Sequence, residues 1–134
     1  MWLSHPLFGM GPDNFRHTYG PYLGQAAFDD RITANSWPVE LLATTGAVGL
    51  LAWLVIPLAL LMIVRRYWWA LAQRERVLAI GLGAALLAFF LHGTVDYFME
   101  FTPTYGLFWL IAGLLVGLLT GIQDVKFAGP ADRV

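Results

Sequence analysis

The chain has no cysteine at all, so disulfide frameworks and thiolate metal sites play no part in its chemistry. It is also poor in charge. Only 13% of its residues are Asp, Glu, Lys or Arg, against roughly a quarter in an average soluble domain, and the formal net charge is only -1. That balance excludes an electrostatic nucleic-acid footprint, and no basic patch interleaved with aromatics occurs outside one short stretch, so no nucleic-acid partner is expected. Met1-Trp2-Leu3-Ser4-His5-Pro6 has no cationic segment leading into an apolar core and is not a signal peptide.

What the chain has in excess is apolar residues, at 58% with a mean hydropathy of +0.63. They fall into three blocks, about 39–64, 77–99 and 105–122. Each is close to the length of about 17 to 25 residues that a helix needs to cross a hydrocarbon core. Lipid offers backbone amides no partner, so such blocks are helical. A buried helical bundle of a soluble protein is the competing reading, but 134 residues cannot give three such helices polar cover. The expected fold is an all-α membrane protein, three transmembrane helices preceded by an extracytoplasmic loop segment. The lipid bilayer is its first partner.

Orientation follows from the stretch Arg65 to Arg76, which holds four of the eight Lys and Arg residues between the first two blocks. Such clusters stay on the cytoplasmic side. Residues 1–38 and the turn Glu100 to Thr104 are then outside, and the tail 123–134, with Lys126 and Arg133, is inside. Tyr67, Trp68 and Trp69 fall at headgroup depth as an aromatic belt. A preceding transmembrane helix would deliver the first 38 residues outward, so the chain is expected to belong to, or descend from, a larger polytopic protein.

Residues 1–38 combine glycine and proline punctuation with Phe8, Phe15, Tyr19, Tyr22 and Phe28, the pattern of an ordered loop. Its end, Asn35-Ser36-Trp37-Pro38, reads as a helix start, with Ser36 at the cap and proline in the first turn. The positive end of that helix faces outward and suits an anion; on composition alone, Asn35 and Ser36 read first as caps of the helix. Arg16, Arg31, His5 and His17 are outside with it, either as a phosphate clamp or base or simply as solvated side chains of an exposed loop. His92 and Asp96, four apart near the outer interface, share one helical face. Gly113, Gly117 and Gly121 form a smooth strip for another helix. Pro57 is expected to kink the first span.

Asn35-Ser36, nine residues, then Gly46-Ala47-Val48-Gly49 resembles the signature of the O-antigen ligase and polymerase superfamily: histidine, then Asn, Ser or Gln, nine residues, Gly, two residues, and Gly, Thr or Tyr. Only the first position departs, with asparagine in place of histidine. The stretch Ser4 to Phe15 resembles the family's proline-and-glycine loop, Glu40 to Gly46 its helix start, and His92 to Tyr97 the polar end of its next helix. The likeness covers nearly the whole chain and about the last third of a typical member.

The resemblance implies a membrane glycosyltransferase of lipopolysaccharide or polysaccharide biosynthesis in a bacterial inner membrane, amino terminus periplasmic and carboxy terminus cytoplasmic. It implies transfer from a polyprenyl-pyrophosphate-linked glycan to an acceptor glycolipid, with no cofactor or metal. The site would comprise Asn35 at the position of the family histidine, His17 and Arg31 as catalytic groups, and Ser36, Arg16, His92 and Asp96 on the substrate. An asparagine amide does not titrate near neutrality, and losing a general base typically costs on the order of 100- to 10,000-fold in rate. The chain is therefore expected to be inactive alone and to work with an upstream membrane half. The alternative is a non-enzymatic accessory or transport-associated protein of the same lineage.

Overall fold

A computed structural model describes residues 1–98 and 101–127, with side chains through Gly121. Glu100, Lys126 and Arg133, which figure in the expected outer turn and inner tail, lie outside the described residues or side chains. Among the described residues five α-helices follow one another: α1 Phe15–Tyr22, α2 Trp37–Thr44, α3 Gly46–Tyr67, α4 Gln73–Gly93 and α5 Thr102–Phe127. Short 3-10 turns, Trp2–Ser4 and Trp68–Ala70, precede α1 and follow α3. The described residues contain no strand. Three stretches of the described residues, Gly46–Ala70, Gln73–Gly93 and Thr102–Gly121, are long and apolar enough to cross a membrane.

The core lies between α4 and α5. Phe108, Ala112, Leu115 and Leu119 recur at helical spacing and form one buried stripe of α5, which meets Ala79 and Leu86 of α4. On α3, Ile56, Leu60, Ile63 and Val64 pack against the edge of this seam. No residue in the most apolar stretch of α3 is buried. Its remaining surface, including Leu51, Val55, Leu58 and Met62, is exposed, as suits a helix whose solvent is lipid.

The first apolar block is two helices rather than the single one expected over 39–64. Gly46 takes φ +68° and ends the run of α2. A helix break exposes the carbonyls of one segment and the amides of the next, which lipid cannot satisfy. The amino-terminal loop satisfies them. The amides of Met10 and Gly11 donate to the carbonyls of Ala43 and Thr44 at 2.9 and 2.8 Å, while those of Ala47 and Val48 donate to Pro6 and Leu7 at 2.9 and 3.1 Å. This approach leaves no room for side chains. A Cβ on Gly46 would collide with the backbone of Leu7 and Gly9, and one on Gly9 with Thr44 and Thr45.

Gly49 has a different reason. A Cβ there would overlap the side chain of Thr45, whose hydroxyl is turned inward to the Leu41 carbonyl at 2.8 Å. The spaced glycines thus build a plugged helix joint, and the nine residues between Ser36 and Gly46 are α2 plus Thr45.

Other boundaries also differ. The helix of the second block runs from Gln73 and stops at Gly93, so His92 sits in its last turn and Asp96 lies beyond it. α5 continues to Phe127. Pro57 lies within an unbroken α3, where it leaves the carbonyl four residues back without a helical donor. The turn between α3 and α4 starts α4 with Glu75, whose carboxylate accepts from the Ala72 amide at 2.6 Å. Alanine cannot return the other half of a capping box.

Candidate functional site

The loop before α2 is held by its own aromatic cluster. Phe15 stacks on Tyr19 with centroids 5.8 Å apart, and Tyr19 meets Phe28 edge-on at 5.3 Å. A side chain at Gly20 would strike the Phe28 ring. The Tyr19 hydroxyl donates to the Asp29 carbonyl at 2.8 Å, and that of Tyr22 to Ser4 Oγ at 2.9 Å. Trp37 ties the start of α2 to the long helices: it meets Trp53 of α3 with centroids 3.5 Å apart, and Trp53 meets Phe90 of α4 at 5.1 Å.

This folding brings Arg16 and Arg31 to one polar cavity of about 300 Å³, completed by Asp13, Thr33, Glu40 and Tyr97. Three separate chain segments meet there: the loop, α2, and the stretch after α4. They meet at the end of the long helices opposite the arginine-rich turn.

The cavity is mixed in charge. Arg16 pairs with Asp13, three residues before it, and Arg31 Nε with Asp29 Oδ1 at 3.1 Å. The Arg31 backbone amide donates to the same Asp29 oxygen at 3.0 Å. That amide, then the guanidinium, hold the Asp29 carboxyl below its usual range, and the Asp29 carboxylate raises Arg31 above its own. Arg31 is 85% exposed at the rim, whereas Arg16 is 40% exposed and its Nε is buried without a hydrogen-bond partner.

Glu40 is the group that sequence reasoning passed over as a site residue. It is 6% exposed and its Oε2 accepts from the Ala34 amide at 2.9 Å, beside Asn35. A lone carboxylate at the start of an apolar run was the signal, since a buried ionisable group beside a span is expensive to keep. Asp13, Thr33 and Tyr97 carried no comparable signal.

The remaining expected residues divide. Asn35, exposed, takes φ +48°, a left-handed conformation that asparagine tolerates better than most residues. Ser36 holds the cap position with Pro38 in the first turn, but its hydroxyl makes no capping bond. Neither lines the cavity, and nor do the exposed His5 and His17. His92 and Asp96 do approach each other, Nε2 to Oδ2 at 3.6 Å. They sit elsewhere: His92 faces an apolar groove between α4 and α5 with Phe89, Phe98 and Leu107. Among the described residues, no atom lies within contact of a Cβ added at glycines 113, 117 or 121, so their strip packs on neither α3 nor α4.

Compared with family models, curated proteins and solved structures, the chain matches none.

Proposed function

We propose that the chain forms the carboxy-terminal module of a membrane glycan transferase resembling the O-antigen ligases, with Glu40 in place of residue 35 as the group that receives the acceptor's proton. One observation carries this reading: the cavity in which Glu40 meets Arg16, Arg31 and Tyr97. Its size is at the lower end of the range for small-molecule sites, and carboxylates, guanidinium groups and a phenol suit a hydroxyl-rich sugar ring. The arginine-rich turn at the opposite end, of the kind kept on the cytoplasmic side, supports a periplasmic cavity in a bacterial inner membrane.

In the reaction, an acceptor hydroxyl oxygen attacks the anomeric carbon of a polyprenyl-pyrophosphate-linked glycan. The bond from that carbon to the pyrophosphate oxygen breaks, the hydroxyl proton passes to Glu40, and polyprenyl pyrophosphate leaves. Arg31 is tied to Asp29 by an exposed pair of the kind worth little in water, so a pyrophosphate competes for it. Additional cations and the rest of the site come from an upstream membrane half, for which the uncovered glycine strip of α5 gives a close-packing surface.

The test is complementation of a strain lacking its own ligase or polymerase, with the chain joined to an upstream half. Glycan transfer is expected, with Glu40→Gln slowing it about 100- to 10,000-fold. Glutamine retains an acceptor for the Ala34 amide, and unchanged thermal unfolding would separate lost chemistry from lost structure. Full activity in Glu40→Gln would remove its assigned role. No transfer by the joined protein would remove the enzymatic reading in favour of an accessory or transport-associated protein, which the carboxylate-paired state of both arginines favours.

A further inference from the structure

We propose that the arginine-rich end of α3 and α4 is a binding site for an anionic phospholipid, with the phosphate at Arg65 and one acyl chain in the groove between the two helices. Leu61, Val64, Arg65, Trp68 and Trp69 line a cavity of about 510 Å³ at the turn. Leu61 and Val64 also belong to an apolar groove of about 340 Å³ whose walls include Pro57, Leu60, Gly83, Leu87 and Phe90. The two are neighbours with Leu61 and Val64 as a shared wall, and the path assigned to the lipid leads past these two side chains from a cationic mouth to an apolar floor.

Dimensions and charge both select a lipid. From Arg65 to Pro57 the path runs along α3 for roughly 12 Å at about 1.5 Å per residue, most of the leaflet depth of about 15 Å. Its floor is open at Gly83, where an added Cβ would meet no atom within contact. At the mouth, Arg65, Arg66, Arg74 and Arg76 form no ion pair with a carboxylate among the described residues. Arg76 stacks over Trp68 and Trp69, each 5.9 Å from its ring centroid, while its Nε is buried without a hydrogen-bond partner. Glu75, the carboxylate of this turn, is engaged with the Ala72 amide.

Guanidinium groups beside indole rings at a helix end suit a phosphate at the interface, and each cation near a negatively charged leaflet contributes to holding it. A neutral zwitterionic lipid fills the same groove but brings no net charge to the mouth. The occupant is therefore a lipid with a phosphate diester headgroup of net negative charge, of which phosphatidylglycerol is the simplest probe. This site is independent of the periplasmic cavity and does not rest on the glycan-transfer reading.

The experiment is native mass spectrometry of the full chain released from micelles containing equal amounts of phosphatidylglycerol and phosphatidylcholine with identical acyl chains. The purified protein is expected to retain one phosphatidylglycerol with about tenfold preference. The Arg65→Gln/Arg76→Gln pair is expected to bring the preference to parity. Gly83→Leu is expected to lower retention of both lipids, with helix content by circular dichroism unchanged because leucine is the better helix former. Glycerol phosphate, which has the headgroup and no tail, is expected not to compete. Equal retention of the two lipids by the unaltered chain, unchanged preference in the arginine pair, full occupancy in Gly83→Leu, or competition by glycerol phosphate would each overturn the proposal.

Discussion

The two ends of the long helices treat arginine in opposite ways. At the loop end, Arg16 and Arg31 each pair with an aspartate two or three residues earlier, around a cavity that also holds a buried glutamate. At the turn end, four arginines lie within a dozen residues, two of them lean on rings, Arg66 on Tyr67 and Arg76 on Trp68 and Trp69, and none pairs with a carboxylate among the described residues. The loop end compensates charge within the protein and keeps its polar groups for a cavity. The turn end leaves its charge to be compensated from outside, which is what a leaflet of anionic lipid supplies.

The largest effect is expected where the loop end is plugged. Gly46→Val places a branched side chain at positive φ and against the backbone of Leu7 and Gly9, and should cost roughly 3 kcal/mol or more. Reversible unfolding in mild detergent would give the value, and faster proteolysis within residues 1–36 would show that the loop had left the joint. If Gly46→Val were as stable as the parent, the joint would not order the loop end.

Next comes Trp37→Ala, which removes the buried ring joining α2 to Trp53 and, through it, to Phe90. It should cost about 2 to 4 kcal/mol and weaken the cavity by releasing Glu40, three residues on. Equilibrium unfolding gives the cost. Binding of a soluble sugar acceptor to the parent and variant checks the second part.

A smaller effect sharpens the contrast between α5 and the plugged joint. Gly117→Ala faces open space and should stabilise the chain in detergent by up to about 1 kcal/mol through helix propensity. The same change should impair assembly with an upstream half if that half lies on the glycine strip. Thermal unfolding and co-purification read the two effects separately.

The smallest effect is electrostatic. The Asp29 carboxyl is held below its ordinary range by the Arg31 amide and guanidinium, so its contribution to loop order is present above the unfolded value and is lost as pH falls through the depressed folded one. The pair is exposed, and salt should weaken it further. Amide exchange of Arg31 should therefore rise over its pH-dependent intrinsic rate only under strongly acid conditions, and Asp29→Asn should remove that transition.

The spans were legible because lipid imposes length and continuity on apolar runs, a local property of sequence. The break at Gly46 was not, since a glycine within such a run reads as tolerated, and the groups that make a break possible lie in the distant segment Pro6 to Gly11. The same non-locality hid the cavity. Arg16 and Arg31 stood out as outer cations, but their meeting depends on the packing of Phe15, Tyr19 and Phe28. His92 and Asp96 do approach to 3.6 Å, but not on the shared helical face expected from their spacing, since α4 ends between them and the pair lies away from the cavity. Asn35 and Ser36, singled out by their spacing to the glycines, do not line the cavity, and Glu40, the carboxylate proposed in their place, lies about one helical turn further on.

Both the cavity and the lipid site depend on the two ends lying on opposite sides of one membrane. The chain has no cysteine, so single variants Gln25→Cys and Gln73→Cys, both at exposed positions, report each end without background. In intact spheroplasts an impermeant maleimide is expected to label Gln25→Cys and to reach Gln73→Cys only after the membrane is opened. Labelling of Gln73→Cys from outside, with Gln25→Cys protected, would contradict the account.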